Sequence, residues 1–167
     1  RRAAITGHLV LSTMHTNDAV SAIPRLLDLK VKNYLISSGV SGILAQRLVR
    51  KICPHCSTKG SLTEQELASL GISSARAAEL GIHIGAETRL EAGCIHCSHT
   101  GYRGRTVISE FIETDSEIQD MIIKGATPNE IRRNITQKGM LSMVECGLVK
   151  AVHGETSINE IIRVAAR

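Results

Sequence analysis

Four cysteines fall into two pairs of identical spacing, Cys53-Pro54-His55-Cys56 and Cys94-Ile95-His96-Cys97, with 37 residues (57–93) between them. A Cys-x-x-Cys turn sets two thiols on one side of a tight knuckle, and two knuckles supply the corners of a tetrahedron. Zn²⁺ takes that geometry in a closed structural site, so Cys53, Cys56, Cys94 and Cys97 are the expected ligands. A four-thiolate site has no open position for water. Its role would be to fold a segment too small to hold itself together rather than to catalyse. His55, His96 and His99 lie in or beside the knuckles and can in principle replace a thiol, but four cysteines leave no vacancy. The competing chemistry is thiol–disulfide exchange, because Cys-Pro-His-Cys also occurs where a helix N-terminus lowers the pKa of the first thiol. Here the motif is read as following the end of a long helix, whose dipole has the wrong sign. The second pair would also have no role.

Other polar groups cluster near the start. His8 and His15 flank Ser12-Thr13 and precede Thr16-Asn17, which packs two histidines and several hydroxyls into a short stretch. His15 falls where a strand is expected to end, the edge of an α/β sheet at which ligands bind. The plainer reading makes His8 a strand residue and His15 a capping residue. Arg47, Arg50 and Lys51 suit a helix C-terminus. Arg103 and Arg105, in a glycine-bearing turn after the second knuckle, can bind an acidic partner or phosphate, or Gly101 and Gly104 simply serve the backbone.

The elements that position these residues are legible in part. Thr6 to Met14 reads as a buried strand. Asn17 or Asp18 can cap a helix over Ala19 to Leu29, with Pro24 kinking it unless it begins near Ser21. A longer helix is expected from Asn33 to Ile52, with Ile36, Val40, Ile43, Leu44 and Leu48 on one face. Thr63-x-x-Glu66 is a capping box for a helix ending near Gly71, and Ser73 or Ser74 opens another that stops at Gly81. Thr88 to Ala92 and Thr106 to Ile112 read as strands. Helices then open at Thr114-x-x-Glu117, at Thr127-Pro128-x-Glu130, over Leu141 to His153, and at Ser157-x-x-Glu160.

Composition narrows the classes. The chain of 167 residues is 43% hydrophobic but holds one Phe, two Tyr and no Trp, so its core is aliphatic. No apolar run approaches the ~20 residues of a membrane span. The formal charge of +4 is too mild to imply nucleic acid, and four thiolates with one divalent ion would lower it further. Paired knuckles without a signal peptide suit a reducing compartment and a metal. Cys146 is expected to be a buried apolar side chain. Arg1 in first position reads as the interior of a longer protein. No Gly-x-x-x-x-Gly-Lys-Ser/Thr loop occurs in the sequence, nor His-Glu-x-x-His, a nucleophile elbow or a dinucleotide fingerprint.

Three stretches carry a family resemblance. Thr6-Gly-His-Leu-Val-Leu-Ser-Thr-Met-His-Thr-Asn17 resembles the histidine box of the type II secretion and type IV pilus assembly ATPases. Leu44-Ala-Gln-Arg-Leu-Val-Arg-Lys-Ile-Cys-Pro-His-Cys56 resembles the entry to their metal-binding subdomain, and Gly93 to Thr106 resembles the exit. The likeness continues through Gly147-Leu148-x-Lys150 to Glu160-Ile-Ile-Arg-Val164. It implies an α/β fold, the tail of a RecA-like P-loop ATPase domain, with an inserted four-cysteine zinc subdomain and an α-helical C-terminal subdomain. Residues 1–52 would be the ATPase tail, 53–105 the zinc-binding subdomain, and 106–167 a strand plus helices.

The resemblance further implies a cytoplasmic, homo-hexameric parent. That parent would dock on inner-membrane platform proteins and couple ATP hydrolysis to pilus or pseudopilus extension. ATP and Mg²⁺ would be held mainly by motifs upstream of residue 1, with His8 and His15 contributing from the histidine box, so this chain alone should not hydrolyse ATP. Two other readings compete: a stand-alone zinc-ribbon module for protein or nucleic acid, and a thiol oxidoreductase. Scarce aromatics around the knuckles count against stacking on bases.

Overall fold

Gly39 and Gly42 produce the largest difference between this reading and the structure, a computed structural model that describes residues 7–165. Two glycines within four positions, with Val40 between them, weaken a helix at that point. The expected helix from Asn33 to Ile52 therefore ends at Gly39, and Gly42–Ile52 is a strand. Exposure alternates along it, with Leu44 and Leu48 more than half exposed while Val49 and Ile52 are buried. The apolar residues that fit a helical stripe also fit a period of two, and pairing with a second strand decides between them.

In chain order the elements are α1 (Ala22–Asp28), α2 (Asn33–Gly39), β1 (Gly42–Ile52), β2 (Thr58–Ser61), α3 (Glu64–Ser69), α4 (Ser74–Glu79), β3 (Glu87–Leu90), a 3₁₀ turn (Ile95–Cys97), β4 (Tyr102–Glu113), α5 (Ser116–Ile123), α6 (Pro128–Gln137), α7 (Met143–Val152) and α8 (Ile158–Ala165). β1 pairs with β4, and β2 with β3. The β2–β3 register runs antiparallel from Thr58 opposite Leu90 to Ser61 opposite Glu87. The class is mixed α/β. No helix among the described residues is long and apolar enough to cross a membrane.

The expected strand over Thr6 to Met14 does not form. Thr6 lies outside the described residues, and Gly7 to Met14 is irregular and exposed, with Leu9 at 88% and Leu11 at 89%. An apolar run becomes a buried strand only with ladder partners beside it, and none is present among the described residues. α1 begins after Ser21, whose N–H donates to Asp18 Oδ1 at 2.7 Å. Pro24 is thus in the first turn, where its missing N–H costs no hydrogen bond.

The described residues form two compact units, one from 7–45 and 110–142, the other from 46–109 and 143–165. In the first, Ala19, Val20, Ile23 and Ile36 pack with Ile112, Ile118, Ile122, Ile131 and Ile135. The Thr127–Glu130 capping box with Pro128 opens α6 as expected. Asp115, not Thr114, caps α5: its Oδ1 accepts from the Ile118 N–H at 2.9 Å, while the Thr114 N–H still donates to Ser41 C=O at 3.1 Å.

In the second unit the Thr63–Glu66 capping box and the Ser73 cap open α3 and α4 as expected. Arg76 of α4 meets the buried Glu145 of α7, Nε to Oε1, at 2.6 Å. α7 and α8 pack tightly at Gly147, where an added Cβ would lie 2.8 Å from Ile161 Cγ2. Cys146, expected to be buried, is partly exposed on α7.

Candidate metal centre

The last residues of β1 deliver the first knuckle. The Ile52 N–H donates to Glu155 C=O at 3.0 Å and the Cys53 N–H to Gly101 C=O at 2.9 Å, so the chain is fixed on both sides of the first ligand. The Ser57 N–H turns back to Cys53 C=O at 3.1 Å. The second knuckle is built the same way: the Cys97 and His99 N–H groups donate to Cys94 C=O at 3.1 and 2.8 Å. Thr100 Oγ1 then donates to Cys97 C=O at 2.6 Å and accepts from the Tyr102 N–H, which starts β4.

The four sulfurs lie within 4.8 Å of one another. Cys53 and Cys94 are 4.0 Å apart, Cys56 and Cys97 3.8 Å, and Cys94 and Cys97 3.8 Å. A tetrahedral ion with metal–sulfur bonds of about 2.3 Å holds its ligands about 3.8 Å apart, so the residues fit such an ion. Among the described residues, these cysteines are the group of metal-ligating side chains that converges.

Backbone amides complete the setting. Gly93 N–H donates to Cys56 Sγ at 3.3 Å, and Cys94 and Gly101 N–H groups donate to Cys97 Sγ at 3.2 Å each. Gly101 sits at φ +77°, and a Cβ there would lie 2.5 Å from Glu91 Cβ. Glycine brings this amide close to the sulfur without strain. Burial works against a thiolate at Cys97, but the two amides, together with the Cys56 and Cys94 thiols, outweigh it and bring its pKa down to about 6. Burial pushes Cys56 up to about 11, with neighbouring thiols adding to the rise.

A strand, not a helix C-terminus, leads into Cys53, so no helix dipole opposes a thiolate there. A different obstacle stands in its place: Cys53 is fully buried. Thiol–disulfide exchange requires an accessible attacking sulfur.

The other candidate residues are not among the converging sulfurs. His55 and His96 are exposed and stack on each other with centroids 4.4 Å apart. His8 and His15 are exposed in the irregular segment before α1. Arg47 donates to the Val164 carbonyl, and Arg50 pairs with Glu160. Arg103 and Arg105 are exposed on β4.

The sequence reading missed the support that Glu160 provides. Ser157-x-x-Glu160 suggests a box, and the Glu160 N–H does donate to Ser157 Oγ at 3.2 Å. Its carboxylate, however, binds Arg50 and Arg163. Ser157 Oγ is also 2.6 Å from the Tyr102 hydroxyl, and Arg50 lies over the Tyr102 ring at 4.0 Å. No local pattern links residue 50 to residue 160, so only the fold reveals the pairing.

Residues 1–163 match the family described as Type II/IV secretion system protein. The chain is 41% identical over 160 residues to the "Type IV pilus assembly ATPase PilB" of Thermus thermophilus, covering 96% of this chain and 17% of that protein. It is 38% identical over 163 residues to the "Type II secretion system protein E" of Aeromonas hydrophila, covering 98% of this chain and 31% of that protein. A protein of the same description from Pseudomonas aeruginosa is 39% identical over 163 residues, with coverage of 98% and 31%. The chain therefore spans less than a third of the length of these relatives.

Proposed function

This chain belongs to the Type II/IV secretion system protein family, and from that premise we propose that it is the C-terminal part of a secretion or pilus-assembly ATPase. The parent is a cytoplasmic hexamer held at the inner membrane by platform proteins, and it couples ATP hydrolysis to pilus or pseudopilus extension. The observation that carries this reading is similarity along nearly the whole chain to relatives whose names include assembly ATPases.

Within that reading, residues 1–52 are the tail of the RecA-like domain, 53–105 the zinc subdomain, and 106–167 the strand and helices that follow. His8 and His15 approach the nucleotide of the assembled parent. The phosphate-cradling loop and the acidic residues for Mg²⁺ belong to the remainder of the parent, since this sequence contains no such loop. The chain by itself is inactive.

Cys53, Cys56, Cys94 and Cys97 hold Zn²⁺. Sulfur spacing and the amides aimed at Cys56 and Cys97 support this assignment. The ion supplies folding energy: it ties the end of β1 to the start of β4 through bonds to both knuckles. Four sulfurs leave it no place for substrate.

Elemental analysis paired with thiol counting tests the centre. One zinc per chain is expected, with four thiols reacting only after chelation. Absence of zinc, with Cys53 and Cys56 cycling as a disulfide, would replace this reading with redox chemistry. Magnesium-dependent ATP turnover tests the rest: the full-length parent should turn over and this chain should not. Turnover by the purified chain, absent from a contaminant-controlled variant, would overturn the assignment of the nucleotide machinery to the remainder of the parent.

A further inference from the structure

Beside the cysteine cluster, within the second unit, lies an open cleft of about 740 Å³. Its nitrogen-bearing side chains come from four separate places in the chain: Lys51 near the end of β1, Arg89 in β3, Arg103 at the start of β4, and His153 just after α7. Ile52 and Pro54 contribute apolar surface. We propose that this cleft binds a phosphate-bearing ligand, with Arg89 and Arg103 gripping the phosphate oxygens and Lys51 and His153 completing the ring.

Charge balance comes first. The one acid in the lining is Glu155, and Lys150 Nζ already holds its carboxylate at 2.9 Å, with Thr106 Oγ1 at 3.3 Å. Arg89 meets only the half-exposed Glu87, at 3.3 Å. Among the described residues no carboxylate lies within ion-pair distance of Lys51 or Arg103, and Lys51 acts on Glu155 only from farther off. Lys51, Arg89 and Arg103 outnumber the single acid of the lining, and such an excess focuses a positive potential into a concave surface. An anion relieves their mutual repulsion.

The residue types narrow the anion. Guanidinium groups present planar forks that match phosphate oxygens two at a time. The volume falls within the range of roughly 300–1,000 Å³ typical of small-molecule sites. An acidic peptide would instead call for donors spread along a groove. Here Lys51, Arg89 and Arg103 line one cleft from three strands, with His153 beside them, which favours a compact, densely charged group. None of this uses the secretion reading, so the two stand or fall separately.

Calorimetric titration of inorganic pyrophosphate into the full chain, purified with its metal, tests the proposal. Saturable binding at one site per chain is expected. Arg103→Gln and Arg89→Gln should each weaken it about tenfold or more. Arg105→Gln, a charge-matched change outside the lining, should leave it intact. Thermal melts confirm that each variant folds. Competition identifies the source: displacement by ADP marks a soluble phosphate compound, and displacement by phosphatidic acid vesicles, but not neutral ones, marks a lipid headgroup. The proposal fails if pyrophosphate does not bind at millimolar concentration. It also fails if Arg105→Gln weakens binding as much as Arg103→Gln, or if polyglutamate binds and pyrophosphate does not displace it.

Discussion

Glu160 receives Arg50 twice over, from the backbone N–H at 2.9 Å and from the guanidinium Nε and Nη2 at 3.0 and 2.7 Å. Arg163 adds Nε at 2.8 Å and Nη2 at 2.6 Å. A wholly buried carboxylate on α8 is thereby tied to the strand that leads to Cys53. Glu160→Gln keeps the volume but loses the charge and turns one acceptor into a donor. Both arginine side chains remain about half in water, so the loss falls below that of a fully buried pair. A decrease in unfolding free energy of about 2 kcal/mol is expected from urea titration. A change under a few tenths would mean the network is decorative.

The same carboxylate sets a pH dependence. Burial raises its pKa, but hydrogen bonds from Arg163 and Arg50 outweigh burial and bring it down to about 2. A depressed carboxylate stabilises the fold fully above its unfolded value of about 4.3 and loses that contribution as pH falls toward 2. The stability gap between the native chain and Glu160→Gln should therefore be constant near neutrality and shrink between about pH 4.5 and 2. A gap that widens on acidification would contradict the assignment.

Ligand substitutions should divide the five cysteines. Cys53→Ser, Cys56→Ser, Cys94→Ser and Cys97→Ser should each reduce bound metal well below one ion per chain and lower the melting temperature. Cys146→Ser, on α7 and outside the cluster, should retain the full complement. Equal metal content in Cys97→Ser and the native chain would remove the cluster as the binding site.

Gly101→Ala probes the amide cradle. At φ +77° with Glu91 Cβ 2.5 Å away, an added methyl forces the turn to shift, at a cost of about 1–3 kcal/mol. The Gly101 amide would move off Cys97 Sγ. Metal should then transfer to a competing chelator faster than from the native chain, while Gly104→Ala, whose Cβ meets nothing within 4 Å, transfers no faster. Equal rates for both variants would show that backbone strain alone matters.

The features legible in sequence were those fixed by local chemistry. Capping boxes at Thr63–Glu66 and Thr127–Glu130 need only residues three apart, and both formed where expected. The cysteine spacing carried its own geometry. Gly42–Ile52 was misread because Ile43, Leu44 and Leu48 satisfy two periods at once, and the partner strand lies some sixty residues downstream in sequence. The short β2 strand over Thr58–Ser61, made of Thr, Lys, Gly and Ser, has no apolar signal at all. It exists because β3 pairs with it. Arg89 and His153 carry no sequence signal for a similar reason: a cleft assembled from separate elements leaves no motif.

The discontinuity of both units has a consequence for synthesis. As the chain leaves the ribosome, residues 7–45 wait for 110–142 before the first unit can close, and the second waits for residues from 143 onward. Both cysteine pairs emerge well before Glu160. An ion captured at that stage would clasp the end of β1 to the start of β4 while α7 and α8 were still being made, holding open a place into which those helices dock.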